Sequence, residues 1–308
     1  MPFLHSFGHY LPERIVANDE LAQACAVDPA WIVDVSGIHE RRYAAPAETT
    51  ATLALHAARH CLANAGLSAA DLGMIVVSSG SAERFCPGPA AIVAAGLGLN
   101  STPALDIPVA SAGSLTGLAL ATQFAPAIGR VLVIGSEIMS RRIDRTPEGR
   151  NTAILFGDGA GAALIDPSHG FARIAGHTLY TDGAFADALF IANDRLHMEG
   201  MTIIAQASRK IPRAVTTLLE QHSLSPADIG HVLMHQANLN LIEKVARATA
   251  IDRSRFFVNI ARYGNTSSAS LLIAASEWHA ANPTLTSPLV FTAFGAGLNW
   301  GALLAVPA

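Results

Sequence analysis

Apolar and polar positions repeat with helical spacing over residues 51–65, and an apolar strand follows at 74–78. The same succession returns at 207–221 and 231–234. Leu67 and Leu224 open matching ten-residue segments 157 positions apart (224 − 67), each bridging its helix and its strand. The order continues in parallel. An apolar run at 105–110, read as buried, precedes a helix at 112–124, and the run 256–260 precedes a helix at 266–278. Two almost wholly aliphatic stretches, 131–135 and 289–293, read as central strands covered on both faces. A glycine-rich β pair closes each half, at 153–165 and around 297–306. Helix alternating with strand, twice over, predicts an α/β fold of two duplicated halves with mostly parallel sheets, residues 1–167 and 168–308. The less regular stretch 167–202 is expected to supply loops and short elements around an active-site entrance.

Composition narrows the function. Half of the 308 residues are hydrophobic (51%) and only 14% are charged, ample for a large core. No apolar run reaches the roughly 18 residues of a membrane span, and the N-terminus lacks a basic segment leading into an apolar one. A cytoplasmic protein with no membrane partner is expected. Cys25, Cys61 and Cys86 are odd in number and far apart, which suits neither a disulfide framework nor zinc. His56 and His60 have helical i, i+4 spacing, but Ala57 stands where a metalloprotease motif needs glutamate, so no metal is expected. With net charge −4 and only Lys210 and Lys244 as lysines, a nucleic-acid surface is excluded. Between 207 and 256, Arg209, Lys210, Arg213, Lys244, Arg247, Arg253 and Arg255 outnumber Glu220, Asp228, Glu243 and Asp252. That bias is either a solvated face or a docking patch for an acidic partner.

Three polar residues punctuate the pattern. Ser111 stands among Ala110, Ala112, Gly113 and Ser114 where a strand run meets a helix. It is either a nucleophile at a helix start or a plain N-cap. His235 follows the strand at 231–234 and is a cleft residue or a core histidine. Asn265, in Tyr263-Gly264-Asn265-Thr266-Ser267-Ser268, takes the place of Ser111 in the second half, 154 positions on (265 − 111) and close to the general offset. It is a site residue or a turn residue. The turn Phe294-Gly295-Ala296-Gly297 can offer main-chain N–H groups to an oxyanion.

Together with Trp31-Ile32-Val33, Ser36 to Arg42, Leu155 to Ala162, and the His235-Gln236-Ala237-Asn238 run, these motifs span almost the whole chain. In this order they resemble the ketoacyl synthase III family of the thiolase superfamily. The resemblance implies a thiolase fold, a homodimer and no cofactor. It implies a condensing enzyme that joins an acyl-CoA primer to malonyl-acyl carrier protein. Position 111 would carry the acyl group, and His235 with Asn265 would stabilise the enolate left by decarboxylation. The N–H groups of residues 111 and Ala296 would form the oxyanion hole. Trp31 and Arg150 would sandwich the CoA adenine, Asn238 would lie along the pantetheine arm, and Cys86 would line the acyl pocket of the dimer mate. Three positions depart from the family: Ser111 replaces a cysteine, and Val35 and Asn240 replace arginines that serve CoA and carrier-protein docking. A serine needs a base where a thiol does not, and His235 is the only motif residue able to act as one. A serine acyltransferase acting on an alcohol or amine, and a non-catalytic partner subunit, are the competing expectations.

Overall fold

The matched segments of the two halves fold alike. Ser68 and Ser225 each open a single 3₁₀ turn closed by a reciprocal capping box, with Asp71 and Asp228 respectively, and each turn runs into a strand. These features belong to a computed structural model describing residues 1–308.

The first half contains β1 Phe3–Tyr10, β2 Arg14–Ala17, α1 Asn18–Cys25, α2 Pro29–Ser36, β3 Glu40–Tyr43, α3 Thr50–Ala65, β4 Leu72–Ser78, α4 Pro89–Gly96 and β5 Ala104–Ile107. It continues through α5 Gly113–Ile128, β6 Arg130–Ile138, α6 Arg150–Ala153 and β7 Asp158–Asp166. Then come β8 Ala172–Thr181, β9 Leu189–Ala192, β10 Arg195–Met198, α7 Gly200–Gln221, β11 His231–Met234, α8 Leu239–Thr249 and β12 Phe256–Phe257. The chain ends with α9 Ile260–Tyr263, α10 Ser270–Ala281, β13 Leu289–Gly295 and β14 Asn299–Pro307.

Ten strands form one sheet in the order β5-β4-β6-β7-β1-β8-β14-β13-β11-β12. Read outward from the β1–β8 seam, the two wings have the same order of elements. Pairing is parallel in the outer strands of each wing and antiparallel through the middle. Only Phe3 with Arg173 and Leu4 with Ala172 pair across the seam. The wings are joined mainly by α5 and α10, each of which packs on strands of both. Leu115 and Leu118 of α5, Leu271 and Trp278 of α10, Val133 of β6 and Phe291 of β13 share one buried cluster. Each such side chain contributes about 1.5–3 kcal/mol on burial. Polar side chains and glycine bound the long helix α3, which opens on a Thr49–Thr52 capping box and stops at left-handed Gly66.

Three readings need correction. The run 105–110 is not buried throughout, because β5 is an edge strand with a neighbour on one side only, and Leu105 is 39% exposed. The stretch 167–202 holds the ten-residue β8, whose mixed side chains hide it from pattern but whose ladder is supplied by β14. Helix α7 begins at Gly200, not 207, and Met201 and Ile204 in its first turns are exposed residues that line the cavity described below.

Candidate active site

Ser111 lies in the turn between β5 and α5, two residues before the helix. It is not the N-cap, a place taken by Ala112. Its φ of +65° is left-handed, which costs a residue with a Cβ. The turn is held by close packing. A Cβ on Gly295 would fall 2.1 Å from the Ala110 oxygen and 2.9 Å from Cβ of Ser111. The second half repeats the device at Ser267, also left-handed with φ +49° and 156 positions on (267 − 111). Ser267, not Asn265, is therefore the counterpart of Ser111. The two serines meet: the Ser111 N–H donates to Ser267 Oγ at 3.1 Å, and the two hydroxyl oxygens lie 3.4 Å apart. The N–H expected to serve an oxyanion hole is thus engaged by a hydroxyl, and an entering carbonyl oxygen competes with it.

Beneath them lies Glu137, fully buried near the end of β6. It accepts hydrogen bonds from the hydroxyls of Ser267 (3.0 Å), Ser268 (2.6 Å) and Ser81 (2.5 Å) and from the Gly80 and Ser81 N–H groups. One carboxylate from the first half therefore pins the serine turn of the second.

His235 follows β11, at the carboxyl end of the parallel strands where α/β sheets hold ligands. Ser270 Oγ accepts the Gln236 N–H, and with no other acceptor in reach its own proton goes to His235 Nδ1, 2.5 Å away. That bond places the imidazole proton on Nε2. Burial pushes the His235 pKa down to about 3, so the ring is neutral at pH 7. Asn265 is fixed in the same manner. Its Oδ1 accepts the Ser267 N–H at 2.9 Å, which leaves the Nδ2 amide as a donor, only loosely engaged with the Ala237 carbonyl at 3.5 Å. Its main chain is clamped by Leu155 and Gly157.

Ser111, His235 and Asn265 are each under 10% exposed and all line one cavity of about 380 Å³, with Trp31, Val35 and Asn238. Nineteen of its 27 lining residues are hydrophobic, which suits a slender, uncharged arm.

A family model described as 3-Oxoacyl-[acyl-carrier-protein (ACP)] synthase III matches residues 105–183, and a companion model for the C terminal part of that enzyme matches 219–306. The beta-ketoacyl-[acyl-carrier-protein] synthase III of Desulfotalea psychrophila is 36% identical over 96% of this chain and 97% of its own. That of Roseobacter denitrificans is 36% identical over 96% of both chains. The crystal structure of 3-oxoacyl-[acyl-carrier-protein] synthase III from Aquifex aeolicus superposes with a TM-score of 0.94 at 32% identity, over 99% of this chain and 100% of that one. The chain belongs to the 3-oxoacyl-[acyl-carrier-protein] synthase III family. Its fold is the thiolase fold and its class is acyl-transferring condensing enzyme.

Other residues that this family resemblance singled out are placed unevenly. Trp31 and Asn238 line the cavity, but Asn238 spends its side chain on structure: Nδ2 donates to the Val35 carbonyl and Oδ1 caps α8 at Leu241. Arg150 does not line the cavity; it is exposed and donates to the Pro147 carbonyl, while its neighbour Asn151 faces inward. Ala296 and Gly297, in the β13–β14 turn, line a second cavity of about 640 Å³ that meets the first at Ala110, Leu189 and Leu196. Cys86 is exposed and lines neither cavity, whereas the adjacent Phe85, 97% exposed, lines the second. His56 stacks on Tyr10 and His60 bonds the His9 main chain, so the two do not converge.

The pattern reading missed Glu137, Ser267 and Ser270. Ser267 sits inside a motif already quoted and Ser270 two residues beyond its end, and a glutamate just beyond an aliphatic strand was the one visible sign of the buried carboxylate.

Proposed function

We propose that the chain catalyses decarboxylative Claisen condensation between an acyl-CoA thioester and malonyl-carrier protein. In this reading Ser111 Oγ displaces the thiolate and holds the acyl group as an ester. The malonyl thioester then enters the same cavity. Its carbonyl oxygen accepts Nε2–H of His235 and Nδ2–H of Asn265, carbon dioxide leaves, and the enolate carbon attacks the ester carbonyl, returning Ser111 to its hydroxyl with a proton from solvent. The observation that carries the reading is that His235 and Asn265 are both fixed as neutral donors in one buried cavity. Such donors stabilise developing negative charge.

The two wings are read as halves 1–167 and 168–308. Phe85, Ile92 and Leu105 are exposed apolar residues beside the open edge of β5, which supports a homodimer joined there. Lys210 is paired with Asp182 and Arg253 with Glu243, while Arg213, Lys244 and Arg247 carry no ion pair, which supports their use in carrier-protein docking. A cytoplasmic setting is consistent with the absence of any helix long and apolar enough to cross a membrane.

The test is release of labelled carbon dioxide from malonyl-carrier protein. His235→Ala and Asn265→Ala should each lower it by about 10²–10³-fold, the weight of one preorganised donor, while acylation of residue 111 persists. Unchanged release in both variants would refute the proposal. The serine acyltransferase reading would then stand, since simple transfer needs no such pair.

A further inference from the structure

Arg41, on β3, is fully buried. Its guanidinium meets only neutral oxygens. Nη1 donates to Asn18 Oδ1 at 2.7 Å and to the Val16 carbonyl at 3.3 Å, Nη2 donates to the Ile154 carbonyl at 2.8 Å, and Nε has no partner. Asn18 is turned to receive it, because its own Nδ2 donates to the Ile38 carbonyl at 2.8 Å. A buried cation without a carboxylate is unfavourable in itself, and an apolar side chain of similar length would avoid that cost. Local costs of this kind are expected where a functional site needs them.

The site that Arg41 reaches is Asn265, 224 positions on (265 − 41). Residues 154–157 form an arch between α6 and β7. The Leu155 carbonyl accepts the Asn265 N–H at 2.8 Å, and the Gly157 N–H donates to the Asn265 carbonyl at 3.1 Å, a parallel bridge of Phe156 with Asn265. Arg41 grips this arch at both ends. Its head group holds the Ile154 carbonyl, and its stem packs against the glycines: a Cβ on Gly157 would fall 3.0 Å from Arg41 Cβ, and one on Gly264 would fall 3.3 Å from it. Two residues before Arg41, the His39 N–H donates to the Ala261 carbonyl of α9 at 2.9 Å, so the chain entering Asn265 is tied to β3 as well. Arg41 lines neither cavity. We propose that Arg41 is a positioning residue for the condensation: it holds the arch on which the Asn265 main chain hangs, and so aims Nδ2–H of Asn265 at the malonyl thioester oxygen. The proposal rests on the condensing reading above for what Asn265 does, and adds the residue that places it.

Arg41→Met keeps the length of the side chain and removes its hydrogen bonds. Two readouts are compared: labelled carbon dioxide release from malonyl-carrier protein, and acylation of Ser111 by acyl-CoA followed by intact mass. Release should fall by about 10²-fold, the cost of misplacing a group by about 1 Å from a distance, while acylation, which does not use Asn265, persists. In an Asn265→Ala chain the same substitution should cost little more, because the donor that Arg41 places is already gone. Arg41→Lys keeps the charge and should recover part of the loss; it takes the place of Arg41→Met in the cycle should that variant not fold. Full release in Arg41→Met, an equal loss with and without Asn265, or an equal loss in acylation would overturn the proposal and leave the condensing reading intact. Release unaffected by Asn265→Ala would sink both.

Discussion

Replacing Ser111 by cysteine should raise condensation by about 10²-fold or more, because the structure gives the serine hydroxyl no base in direct contact. The nearest polar side-chain atom bonded to Ser111 Oγ is Ser267 Oγ at 3.4 Å, and Ser267 is itself a donor to Glu137. His235 was the remaining candidate. Its Nδ1 is committed to Ser270, its Nε2 holds the proton, and its pKa of about 3 leaves little affinity for a second one. A positioned general base is worth roughly 10²–10⁴-fold, and Ser111 forgoes it. A thiol at the same turn ionises without that help, and the N-terminus of α5 two residues on favours the anion, although only by about 0.3–1 kcal/mol. The assay is labelled carbon dioxide release with and without acyl donor, with acyl-enzyme measured by mass for both forms. Equal or lower turnover in the cysteine form would show that Ser111 is activated, with the Ser267–Glu137 chain as the route to test, and would favour the serine acyltransferase.

Gly295→Ala should cost about 10²-fold in activity with the fold retained, since the new methyl group collides with Ala110 and Ser111 and displaces the nucleophile by a sizeable fraction of an ångström; full activity would refute the packing argument. Leu105→Lys, at the exposed edge of β5, should convert a dimer to monomer by sedimentation at micromolar concentration; an unchanged dimer would move the interface elsewhere. Because the pKa of His235 is depressed from 6.5 to about 3, the unfolded chain binds that proton first as the pH falls. Native stability is therefore lost from about pH 6.5 downward. His235→Gln should lose less Tm between about pH 7 and 5 than the native chain, and an equal loss would contradict the burial assigned to His235.

Much of this protein was legible in its residues. The aliphatic strands at 131–135 and 289–293 are covered on both faces, so nearly every position had to be apolar, and they were found as β6 and β13. The repeated 67–76 and 224–233 segments carry their own capping boxes, a local interaction that sequence alone encodes. Motif order singled out Ser111, His235 and Asn265, and the fold lines one cavity with all three. Tertiary structure decided the rest. β8 has no pattern of its own and exists because β14 offers it a ladder. The left-handed turn at Ser111 packs in the space left by Gly295, 184 positions away (295 − 111), and no local signal distinguishes it from a helix cap. The tautomer of His235 depends on a hydroxyl 35 residues on, and the Ser267 turn is fixed by Glu137, 130 residues before it. Hydrogen-bond direction between distant residues leaves no trace in spacing or hydropathy. That is why the residues of the site could be named from the sequence while their protonation and competence could not.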